Sequence, residues 1–183
     1  MLDNFIAYHC GPALAGIKPA NIVSCQKSRI PEIHAELETM NQQLNFKDIY
    51  LEILWECEKR VLVMVYRKKV LTAQLSRPEM QTFLHSYGYP ENATMTTYLS
   101  VLKARLQEDK FPHEIGVFLG YPLHDIYGFI QHPSEGCLLT GEWKVYQDAE
   151  GAEKLFARYK ACRNALLRRI TKGLTLAQVF CAA

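Results

Sequence analysis

Apolar residues along this chain follow two rhythms, one returning every three or four positions and one every second position. Ile33, Leu37, Met40 and Leu44 recur at helical spacing and predict a helix over residues 31–44. Ile49, Leu51, Ile53, Trp55 and Cys57 then alternate with Tyr50, Glu52, Leu54 and Glu56, the period of a strand. Residues 61–66 are continuously apolar and rich in valine, as expected of a strand covered on both faces and central in its sheet. Only Glu58-Lys59-Arg60 separates the two runs, so they predict a β-hairpin over about 48–67.

Outside the hairpin the punctuation is helical. Leu2, Phe5 and Ile6 predict a short helix that stops before a loop over residues 9–19, where Gly11, Pro12, Gly16 and Pro19 crowd together. Ser76-Arg77-Pro78-Glu79 reads as a capping box opening a helix through Met80, Phe83, Leu84 and Tyr87, ended by Gly88. Thr96 or Thr97 opens the next, carrying Leu99, Leu102 and Leu106. Two short helices flank Gly120-Tyr121-Pro122, with Gly116 where they touch. Trp143 and Val145 alternate with Lys144 and Tyr146, predicting a strand near 142–146. Asp148 caps a long helix over about 149–172, closed by Gly173, and Thr175 caps a short final one. The order suits an α/β (α+β) fold, a small and mostly antiparallel sheet covered by helices, in a single domain over 1–183.

Composition narrows the class. With 183 residues, 49% hydrophobic and 22% charged, the chain can bury a core without staples, which excludes a disordered protein. Six scattered cysteines without a C-x-x-C pair point to reduced thiols. A net charge of +2 names no partner. No run approaches the ~20 apolar residues of a membrane span, and the first residues lack the basic start of a secretory signal. The expectation is a cytoplasmic protein with no membrane partner; its oligomeric state is left open.

The candidate chemistry lies in a few polar residues within apolar stretches. Arg163 falls inside the apolar stripe of the long helix, between Tyr159 and Leu167, where a guanidinium needs a carboxylate or an anionic ligand. Cys10 follows His9 and lies near Lys18, a setting for a thiolate or soft ligand. His113-Glu114 offers an imidazole and a carboxylate for acid–base work. No metal-binding histidine spacing, phosphate loop or dinucleotide fingerprint occurs.

The blocks His9-Cys10-Gly11-Pro12, Leu14-Ala15-Gly16-Ile17-Lys18, Phe111-Pro112-His113-Glu114-Ile115-Gly116 with Gly120-Tyr121-Pro122, Gly128-Phe129-Ile130, Trp143-Lys144-Val145-Tyr146 and Tyr159-Lys160-Ala161-Cys162 resemble a clostridial domain-of-unknown-function family, numbered 3793. Ala13 departs from the threonine expected there. The resemblance covers nearly the whole chain. It implies a small cytoplasmic protein of anaerobic bacteria with no assigned reaction. It associates the chain with iron, haem or redox-cofactor handling.

Together these residues predict a pocket for a small ligand or cofactor, anionic by its lining, with haem, flavin or iron as candidates and an enzymatic role open. Cys10, His113 and Glu114 would act in it; His9, Lys18, Tyr121, Lys144, Tyr146 and Arg163 would bind. The alternative is a regulatory or interaction module that binds nucleic acid or a protein partner through the helix-turn-helix-like hairpin over 113–130 and the basic last long helix. Nucleic acid is disfavoured there, because Leu123, His124, Asp125, Tyr127 and Gly128 offer few donors to base edges.

Overall fold

A computed structural model describes residues 2–181. In chain order they form α1 (Leu2–Leu14), β1 (Ala20–Gln26), α2 (Ile33–Leu44), β2 (Ile49–Glu56), β3 (Arg60–Arg67), α3 (Lys68–Leu75), α4 (Pro78–His85), α5 (Met95–Arg105), α6 (Ile115–Phe118), α7 (Leu123–Gln131), β4 (Leu139–Thr140), β5 (Lys144–Val145), α8 (Ala149–Ile170) and α9 (Leu176–Cys181). The fold is α+β: helices pack on a three-stranded antiparallel sheet, and β4 and β5 make a separate small hairpin.

β3 occupies the centre, in the order β1-β3-β2, as its unbroken apolar run demands. Val61, Val63 and Val65 face a core shared with α1, α2, α9 and the end of α8. Met64 and Tyr66 face the opposite core, built with α3 to α7. A β-bulge between Ile53 and Trp55 breaks the predicted alternation, burying Leu54 and turning Trp55 outward.

Local punctuation misleads at the N-terminus. The expected loop over 9–19 is largely helix, because α1 runs through Gly11 and Pro12 to Leu14. Gly11 serves a contact rather than a turn: a Cβ there would lie 3.2 Å from the Arg163 Cα of α8. The helix ends at Gly16, with φ +76°, in a Schellman motif. Its two bonds run from the Ile17 amide to the Pro12 carbonyl and from the Gly16 amide to the Ala13 carbonyl.

Three elements, β1, α3 and β4, have no counterpart in the hydrophobic pattern. β1 was hidden by Asn21 and Ser24, yet it pairs along its length with β3. α3 occupies the stretch before the expected capping box, so Ser76 closes α3, donating from Oγ to the Thr72 carbonyl at 2.8 Å. The cap of α4 is Arg77, with Pro78 at its first position. α5 likewise opens two residues early, its amide at Thr97 donating to Thr94 Oγ1.

Candidate functional site

The Schellman turn delivers Lys18 to the start of β1, an edge strand, and buries its side chain to 2% exposure. It lines a polar cavity of about 340 Å³ with Tyr8, His9, Asn21, Tyr121, Glu142 and Arg163. These residues come from α1, the α1–β1 loop, β1, the α6–α7 turn, the β4–β5 turn and α8. Arg163 Nη2 donates to Glu142 Oε1 at 2.9 Å, the carboxylate its place in the apolar stripe required. Lys18 Nζ has no hydrogen-bonding partner among the described residues. It rests 5.2 Å and 5.8 Å from the ring centres of Tyr121 and Tyr159, a cation–π setting.

Burial governs the ionisation of this cavity. Desolvation lowers the Lys18 ammonium to about 8, against a partial pull upward from Glu142. His9, at the rim, is also lowered, first by burial and then by the Arg163 charge, which favours the neutral imidazole. Tyr121 is pushed up to about 12 by burial and stays a phenol, its hydroxyl donating to the Glu142 carbonyl at 3.2 Å.

A second cavity, about 330 Å³, opens beside the first under α6 and α7. Its lining is apolar and aromatic, with Ile22, Leu62, Phe111, Ile115, Phe129 and Trp143 prominent. His113 stands against Phe129 edge to face, with ring centres 5.1 Å apart. Lys144 also lines it, but its ammonium is tied to the Pro133 carbonyl at 2.6 Å.

The predicted residues therefore divide. His9, Lys18, Tyr121 and Arg163 meet in the polar cavity; His113, Lys144 and Tyr121 meet in the apolar one. Cys10, Glu114 and Tyr146 line neither. Cys10 is sealed in the core, and burial raises its thiol far above the usual range, so neither a thiolate nor a soft ligand is available there. His113 and Glu114, in the turn that leads into α6, part company: His113 faces the apolar cavity and Glu114 points into the core. Glu114 is fully buried, bonded to Arg105 and to Tyr89. Tyr146 packs under Gly128 and donates to the His132 carbonyl at 2.8 Å. Among the described residues no three His, Cys, Asp or Glu side chains gather as a metal site needs. All six cysteines are free.

A family model for a protein of unknown function (DUF3793) matches residues 6–180. The chain belongs to that family. The DUF3793 span takes in both cavities and every block on which the resemblance was drawn. No curated protein and no solved structure matches the chain. No helix among the described residues is long and apolar enough to cross a membrane.

Three contributors in this DUF3793 chain escaped the sequence: Asn21, Glu142 and Asp125. Arg163 announced a carboxylate partner but could not say which one. Asp125 is buried, accepting from Trp143 Nε1 at 2.7 Å and from the Tyr146 amide at 2.7 Å. It ties the β4–β5 hairpin to α7 within the helix-turn-helix-like segment. Gly116 sits at the helix contact as expected, where a Cβ would meet Ile126 at 3.0 Å. α7 itself carries no Lys or Arg.

Gly120 joins the two loops that bear Lys18 and Tyr121. It has φ +73°, and a Cβ would lie 2.5 Å from Pro19 Cδ. Gly120→Ala is expected to cost about 2 kcal/mol from left-handed strain and overlap. Urea unfolding at pH 7 checks it; a change below about 0.5 kcal/mol would mean that the loops separate freely.

Proposed function

We propose that this protein binds a small anionic ligand in the polar cavity, with Lys18 as its principal charge and Arg163 held ready by Glu142. One observation supports this above the others: a buried ammonium with no acceptor among the described residues, facing an open space. A buried charge without a partner is costly, and folds keep one where something else supplies the counter-charge. The Arg163–Glu142 pair is neutral as a unit, so Glu142 offsets the Lys18 charge only in part. Asn21, whose Oδ1 accepts from the Ala13 amide at 3.2 Å, leaves its amide nitrogen as a further donor.

The reading makes a pH prediction with a definite sign. Anion binding requires the ammonium, and in the free protein Lys18 loses its proton through about 8. Once phosphate is fully dianionic, its affinity should fall about tenfold per pH unit as the pH rises above that value. Titration calorimetry at pH 7, 8.5 and 9.5 measures this. Lys18→Met should abolish binding at all three. Phosphate affinity unchanged between pH 7 and 9.5, or retained in Lys18→Met, would remove Lys18 from the role.

A further inference from the structure

The polar cavity does not stop at Tyr121. Ile22, Leu119 and Tyr121 line both cavities, so the two chambers share a wall. Their chemistry is opposite. One presents Lys18, Arg163 and Glu142; the other presents rings and aliphatic side chains.

The shared wall also sets the reach between them. Lys18 Nζ lies 5.2 Å from the centre of the Tyr121 ring, and the Trp143 ring lies 4.8 Å from it on centres. A charge held at Lys18 is thus about one ring's width from the aromatic chamber. Phe111 stands at that chamber, 57% exposed and largely unpacked, an apolar surface with nothing to cover it. Each chamber alone is at the small end of the roughly 300–1,000 Å³ that ligand sites occupy.

Resting on the anion-binding reading above, we infer that both chambers take a single ligand, an organic anion with a flat aromatic body. Its charged group sits at Lys18, and its rings lie among Phe111, Phe129, His113 and Trp143. The preference for rings over a flexible alkyl chain follows from the lining. Aromatic walls reward offset and edge-to-face packing beyond the area buried, and a rigid body loses less freedom on binding.

The test compares three probes by calorimetric titration of the full chain at pH 7: inorganic phosphate, 1-naphthyl phosphate and octyl phosphate. The naphthyl ester is expected to bind tighter than phosphate by about tenfold or more, from the apolar area it buries, and tighter than the octyl ester. Phe129→Ala should erase that advantage and leave phosphate affinity as it was, while Lys18→Met should abolish phosphate binding and weaken both esters. Equal affinity for phosphate and its naphthyl ester, or an advantage that survives Phe129→Ala, would overturn the two-chamber inference and leave the anion site standing. Tighter binding of the octyl ester would overturn the aromatic class. If none of the three binds, the anion site and this inference fall together.

Discussion

Lys18→Met is expected to make the protein more stable at neutral pH, by up to about 3 kcal/mol, while removing its ligand. The ammonium titrates near 10.5 when solvated and at about 8 in the fold, a gap that corresponds to about 3 kcal/mol against the buried charge. The rings of Tyr121 and Tyr159 offset part of the desolvation, so the figure is an upper bound. The direction with pH is fixed. Below about 8 both folded and unfolded chains carry the proton, and the wild type bears the full cost. Between about 8 and 10.5 the unfolded chain holds more protons, so wild-type stability climbs with pH. The advantage of the methionine variant should be largest at pH 7 and nearly gone at pH 10.5. Urea unfolding of both proteins at the two pH values measures it. A variant less stable than wild type at pH 7, or a difference indifferent to pH, would show that Lys18 is not a burden the fold carries for binding.

Arg105→Ala should cost about 3–5 kcal/mol, the usual loss when one partner of a buried ion pair is deleted. Glu114 is completely enclosed, and its Oε1 depends on the Arg105 Nε and on Tyr89, whose hydroxyl donates across 3.3 Å. Its Oε2 has no hydrogen-bond partner among the described residues. The companion variant Glu108→Ala removes only the exposed partner of Arg105 and should change stability by less than about 1 kcal/mol. Replacing both Arg105 and Glu114 by apolar residues of similar size should recover much of the loss. Urea midpoints for the four proteins check the set. If Arg105→Ala and Glu108→Ala lose stability equally, the buried carboxylate is not what Arg105 supports.

The legible parts of this protein are those where burial on both sides leaves a mark on several successive residues. The valine-rich run of β3 is one, and the inward guanidinium of α8 is another, since Arg163 among apolar neighbours demanded the carboxylate that Glu142 supplies. The illegible parts turn on contacts between distant segments. Gly11 reads as a helix breaker, but its missing side chain is what lets α1 lie against α8. Adjacent polar residues look like pairs in the sequence, though helices and turns alike send neighbouring side chains in different directions. Cys10 therefore points into the core while His9 stands at the rim, and Glu114 is interred while His113 faces the aromatic chamber. Lys18 was legible as a candidate, but not as a lone charge, because only the folded neighbourhood could reveal that Glu142 belongs to Arg163.

The walls of the polar chamber reach from Tyr8 near one end of the chain to Arg163 near the other. No fragment that lacks either helix can form it. Occupancy is therefore a clasp on the whole polypeptide: a bound anion must protect against global unfolding by the full RT ln(1 + [L]/Kd), rather than against opening of one loop. Amide exchange in β2, none of whose residues lines either chamber, should slow as much as exchange in α1 and α8.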